Sequence, residues 1–117
     1  MRPFRSIALA TALLSLAGCH SAFIDATISN RTTATIPLVE VDYPSASFGT
    51  ENLAPGKDFH YRFKVLGTGA TKVVYTDNTQ QEKHNDGPEL KEGDEGPLHV
   101  TFAPDGIHWQ APPPPAH

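Results

Sequence analysis

A single cysteine, Cys19, is all the thiol chemistry this 117-residue chain holds, so it has no intrachain disulfide, Cys-x-x-Cys metal site or dithiol redox pair. Long apolar runs are scarce as well. The longest, Ser6 to Leu16, spans eleven apolar or small residues, short of the roughly twenty that cross a bilayer as a helix. Behind it no stretch keeps a helical period. Positive charge is also short, with nine Lys and Arg against thirteen Asp and Glu, which disfavours nucleic acid and anionic lipid surfaces as partners. Catalytic signatures are missing. Ser45 and Ser47 do not sit in a nucleophile elbow, and there is no Ser-x-x-Lys, phosphate-cradling glycine loop or His-Glu-x-x-His. The chain therefore does not read as an enzyme.

What is present begins at the N-terminus. Met1-Arg2-Pro3-Phe4-Arg5 carries two positive charges, the short apolar run follows, and Leu16-Ala17-Gly18-Cys19 closes it. This layout is that of a secretory signal, and the tetrapeptide resembles the lipobox of bacterial lipoproteins. The resemblance implies cleavage before Cys19, acylation of its thiol with palmitate-type chains, and residence in the membrane of the cell envelope. Each buried methylene contributes about 0.8 kcal/mol, and one chain alone attaches only marginally; the two or three chains of a lipoprotein anchor stably. In Gram-negative lipoproteins an aspartate after the cysteine favours retention in the inner membrane. This chain has His20, so the resemblance implies the outer membrane, facing the periplasm.

The expected organisation is a signal peptide over 1–18, a lipidated anchor and short spacer over 19–22, a folded domain over 23–110 and a proline-rich tail over 111–117. The excised piece carries Arg2 and Arg5 and no acid, so 99 residues remain with seven cations against thirteen carboxylates, a net charge near −6. A domain of that size buries roughly 60 to 70% of the surface its unfolded chain exposes. Without disulfides, its fold must rest on its core.

Alternation with period two marks the strands. Ile24, Ala26 and Ile28 share one face; Val39, Val41 and Tyr43 alternate with Glu40 and Asp42. A short segment surrounds Ser47-Phe48-Gly49, and Leu53 to Lys57 is a Pro-Gly turn. From Asp58 to Leu66, Phe59, Tyr61, Phe63 and Val65 point one way and His60, Arg62 and Lys64 the other, which predicts the aromatics as core. Thr71 to Thr76 is β-rich. Gln80 to Asn85 is wholly polar, so it is predicted as an edge strand, and the acidic segment Asp86 to Gly96 as a loop. Leu98, Val100 and Phe102 alternate before a turn at 103–106 and a last strand at Ile107-His108-Trp109. Phe23 and Phe48 fall outside the best runs and are predicted exposed, a modest apolar patch. About seven short strands predict an all-β, antiparallel β-sandwich of immunoglobulin-like architecture, though not necessarily its topology. Its general plan resembles that of small sandwich lipoproteins of Gram-negative bacteria. The four consecutive prolines of the tail predict polyproline II or an unstructured end.

Candidate sites are few. Cys19 is the predicted lipidation site and, through it, the bilayer a predicted partner. If the turn at 103–106 joins paired strands, Thr101 faces His108 and His99 lies diagonal to it, about 7 to 8 Å between backbones; with His60 supplied from elsewhere, these three form a candidate Zn²⁺ or Cu²⁺ site. Five carboxylates fall within Asp86 to Gly96, but Lys91 interrupts them and the spacing is not that of an EF-hand. No cofactor is expected. The edge Gln80, Gln81, Glu82, Lys83 and His84 is a candidate contact surface, because an unpaired edge offers N–H and C=O groups to an incoming strand, as are the loops at the two sandwich ends. The expectation is a membrane-anchored, non-enzymatic interaction module of the envelope with a protein partner. A binding protein for metal or a small ligand, using the histidines or the acidic loop, is the alternative.

Overall fold

The structure, a computed structural model, describes residues 21–113; Cys19, His20, the predicted signal segment 1–18 and tail residues 114–117 lie outside them. Eight strands follow in order: β1 (Ile24–Asn30), β2 (Ile36–Tyr43), β3 (Ala46–Leu53), β4 (Asp58–Phe63), β5 (Gly69–Thr76), β6 (Glu82–Leu90), β7 (Gly96–Ala103) and β8 (Gly106–Gln110). They form two four-stranded sheets, ordered β4-β1-β7-β8 and β3-β2-β5-β6. The chain is a β-sandwich, as its alternation predicts. Its strand order differs from the ABED/CFG order of immunoglobulin constant domains, so the likeness is one of architecture.

One pairing departs from the antiparallel expectation. β1 runs parallel to β7, with Ile24 beside Gly96 and Asn30 beside Phe102, while the other pairings are antiparallel. Parallel neighbours need a long connection, and here the whole second sheet lies between them in sequence. No local signal announces such a contact.

The core lies where the alternation puts it. Ile24, Ala26, Ile28, Leu98 and Val100 of the first sheet meet Val39, Val41 and Val73 of the second, all at 2% exposure or less. At the end of β3 the alternation breaks. Asn52 takes a left-handed φ of 52°, a conformation asparagine tolerates better than most residues, and Leu53 next to it turns inward and is buried.

Several local expectations need correction. The segment around Phe48 is a full strand, and Phe48 is buried, not exposed. Phe23 is half-buried, with the Arg62 guanidinium 4.2 Å above its ring. Tyr61 shares the inward face of β4 with Phe59 and Phe63, yet is 43% exposed, because β4 is an edge strand that the second sheet covers only in part. The strand also stops at Phe63, so Leu66 falls in the following loop. The predicted acidic loop is strand as far as Leu90, and Gln80 and Gln81 belong to the turn before β6. A bulge in the β5–β6 ladder between Ala70 and Lys72 absorbs Gly87 and Pro88, which a regular strand would not hold.

Two seams close the sandwich. On one side the Phe48 ring on β3 stacks on Tyr61 of β4 with centroids 4.7 Å apart, and Tyr43 stacks on Phe63 at 3.9 Å. On the other, Trp109 of β8 donates Nε1–H to Asn85 Oδ1 of β6 at 2.7 Å. Its indole lies against Gly87, where an added Cβ would meet ring carbons at 2.7 Å.

Candidate functional site

The histidines come together only in part. Thr27 on β1 lies opposite both His60 on β4 and His99 on β7, and His99 lies opposite Gln110 on β8. One row, His60-Thr27-His99-Gln110, therefore crosses the outward face of the first sheet. The next row is Asp58-Ser29-Thr101-His108. The predicted Thr101–His108 register is the observed one, and His60, rather than coming from elsewhere, shares the face with His99 and His108.

Two strand spacings of about 4.8 Å separate His60 from His99. His60 Nδ1 shares a hydrogen bond with Thr27 Oγ1 at 3.0 Å, and His108 Nε2 pairs with Asp105 Oδ1 at 2.8 Å. That partner holds the Asp105 carboxyl below the ordinary carboxylate range. Among the described residues no three His, Cys, Asp or Glu side chains converge as a metal site needs. The face is a ruled array of polar groups.

The acidic segment disperses similarly. Asp86 faces Lys72 across the β5–β6 ladder, and Asp94 Oδ2 turns back to accept the Lys91 backbone N–H at 2.9 Å. The carboxylates do not share a centre. Instead, the outward face of the second sheet carries Glu40, Asp42, Glu51, Glu82 and Asp86 against Lys72. Glu40 is pushed above its ordinary value, first by its hydrogen bond with Asp42 and then by that neighbour's charge.

The predicted contact edge is an edge, and it is blunted. Glu82, Lys83 and His84 lie on β6 at the margin of the second sheet, but charge along the strand, Pro88 and the bulge are the features that discourage strand addition.

A concavity lies elsewhere, at the sandwich end where β1 and β7 finish and β2 and β6 begin. It is a cleft of about 410 Å³, within the range of ligand pockets. Ile36, Tyr75, Phe102 and Ile107 give it an apolar floor, and Thr32, Thr35, Asp77 and Lys83 are among its rim residues. Tyr75 meets Phe102 edge-on at 4.9 Å.

Both loops beside the cleft are fixed by a single side chain. Asn30, fully buried, donates from Nδ2 to the Ala34 and Leu53 carbonyls at 2.9 and 2.8 Å; its Oδ1 accepts from the Thr32 N–H at 3.0 Å and the Thr32 hydroxyl at 2.6 Å. Three of these bonds hold the loop 31–35, and the fourth ties it to the end of β3. Asp77 likewise holds 77–81. Its Oδ1 accepts from the Thr79 hydroxyl and N–H and from the Gln81 N–H, while Oδ2 pairs with Lys83 Nζ at 3.1 Å. These donors, the Thr79 hydroxyl foremost, hold the Asp77 carboxyl far below the ordinary carboxylate range. The third wall is the β7–β8 turn, Ala103 to Gly106, with Gly106 at φ 134°.

A rigid, loop-walled cleft on a sandwich is suited to holding a ligand or a partner's side chains. It contains no paired general acid and base, since the one carboxylate there is committed to Lys83. Of the three turns that build it, the one at 103–106 is predicted from the sequence. Only Asn30 carried a hint of more, as an asparagine ending an apolar strand, and nothing local tells that its amide reaches Leu53, 23 residues away.

Fold and cleft together define a two-sheet sandwich with a loop-end recess. Compared with protein-family models, curated proteins and solved structures, the chain matches none, so the functional reading rests on its own residues.

Proposed function

We propose that this chain is a lipid-anchored extracytoplasmic β-sandwich, held to the envelope membrane by acylated Cys19, that works as a non-enzymatic interaction module. His20 after the cysteine favours the outer membrane, with the domain in the periplasm. The partner is a protein, and the contact surface is the cleft between Thr32, Asp77 and Phe102 rather than the β6 edge.

The observation that carries this reading is the polarity of the domain. The chain enters β1 at Ile24, beside Gly96, and Pro112 and Pro113 return to that same glycine, where an added Cβ would meet them at 3.6 and 3.7 Å. The cleft lies at the other end of β1, six residue steps or about 20 Å away. Anchoring at Cys19 thus leaves the cleft directed away from the bilayer, accessible to other envelope proteins. A net charge near −6 after removal of 1–18 leaves attachment to the acyl chains, as a lipoprotein requires.

The test is Cys19→Ser. The variant should lose palmitate labelling and leave the membrane fraction for the soluble one; undiminished membrane fractionation would refute the reading.

A further inference from the structure

We infer that the bilayer holding Cys19 also covers the anchor end of the sandwich, with Leu66 seated at the boundary of headgroups and acyl chains beside Phe23, Arg62 and Lys64. The inference rests on the lipid-anchor reading and adds a second, non-covalent contact that fixes how the domain stands on its membrane.

Leu66 is 66% exposed, more than the other large exposed hydrophobics, Leu38 and Tyr61. Leaving such a side chain in water forgoes the favourable burial of its apolar surface. Flexibility does not explain its exposure, because its loop is pinned. Val65 is buried, its carbonyl accepts the Gly93 N–H at 3.4 Å, and the Glu92 N–H reaches Thr68 Oγ1 at 3.3 Å. The fold displays this leucine at a fixed point.

That point adjoins the anchor. Ser21 and Ala22 line the same recess of about 240 Å³ as Lys64, Val65, Leu66, Glu92 and Gly93. Two residues of chain extend at most about 7 Å, so Leu66 is tied near any membrane that holds Cys19. The neighbouring chemistry fits an interface. The Arg62 guanidinium lies 4.2 Å and Lys64 Nζ 5.4 Å from the centre of the Phe23 ring, an apolar ring suited to burial at the acyl-chain boundary while the long cationic side chains reach the phosphates.

The cations at this end stand beside carboxylates: Arg62 pairs with Asp25 at 3.6 Å, and Lys64 shares its recess with Glu92. The contact is therefore apolar in origin and needs no anionic lipid. Vesicles of phosphatidylcholine suffice.

The experiment uses the full lipidated protein in phosphatidylcholine vesicles carrying a nitroxide quencher on the acyl chain. An environment-sensitive fluorophore is attached at Leu66→Cys or, for comparison, at Asp105→Cys beside the distal cleft; acylated Cys19 does not react. Flotation with the vesicles is measured on the same samples. The label at 66 should be blue-shifted and quenched severalfold more than the label at 105. If the protein floats but the two labels are quenched alike, the second contact is refuted while the anchor stands. If the protein fails to float, both are refuted.

Discussion

Asn30 is the residue on which most local order depends. Its four hydrogen bonds tie the end of β1 to Ala34, Leu53 and Thr32, and a buried carbonyl stripped of its donor costs about 1–3 kcal/mol. Asn30→Ala should cost about 2–4 kcal/mol, read as a lower urea midpoint at unchanged slope. Two carboxylates give opposite pH signatures. Asp77 is held below its ordinary value of 3.8, so the unfolded chain takes up its proton first; the stability it supplies is complete above that value and is lost as the pH falls through the lower folded one. The advantage of the native protein over Asp77→Asn should be constant at neutral pH and shrink in strong acid, as measured by urea unfolding across the acid range. Glu40 is held above 4.5 by Asp42. Its folded form keeps the proton longer than the unfolded chain, so stability falls as the pH rises through 4.5 to the raised value. Glu40→Gln should remove that fall and leave the variant the more stable at neutral pH. The histidines are legible in register but not in reach. Thr101 faces His108 as the turn length implies, yet Thr27 and Asp105 hold the outer two imidazoles. Adding zinc should leave the His99 and His108 resonances unmoved.

At the scale of elements, the seams show how edge strands are managed. Phe48 on Tyr61 closes one side, and Trp109 on Gly87 the other. The chain has one tryptophan, so its fluorescence reports the β6–β8 seam alone. Gly87→Ala would drive a methyl group into the indole and the Thr71 hydroxyl; it should cost about 1–3 kcal/mol and red-shift the emission as the ring is pushed towards water. The same seam explains why the sequence misplaces the end of β6. Asp86 to Leu90 holds Gly87, Pro88 and two acids, a turn-like composition. It is strand because Gly87 admits the indole of a residue 22 positions later and because Thr71 Oγ1 donates to the Pro88 carbonyl at 2.6 Å. Period-two alternation, by contrast, is a local consequence of the pleat, so β1, β2, β4 and β7 can be read directly. Tyr61 marks the limit of that reading, since alternation gives the face a side chain takes but not whether a second sheet covers it.

The whole molecule has two distinct ends and two unlike faces. Outward from the first sheet stand histidines with paired charges; outward from the second stand five carboxylates and Lys72. Partner contact at the cleft carries its own prediction. A photo-crosslinker at Thr35, on the cleft, should give an adduct with an envelope protein that the same crosslinker at Glu51, on the acidic face, does not, with both variants equally stable. By itself the sequence determined the all-β class, the core faces and the absence of disulfide chemistry, because alternation and residue type are local and additive. It also holds Leu16-Ala17-Gly18-Cys19, the lipobox-like tetrapeptide on which anchoring is proposed, because a peptidase would read a contiguous stretch. Only the tertiary structure decided that β1 lies parallel to β7, that the histidines share a face without converging, and that three separate turns enclose one cleft. Those facts depend on contacts between residues tens of positions apart, which the burial of the common core selects and no short segment encodes.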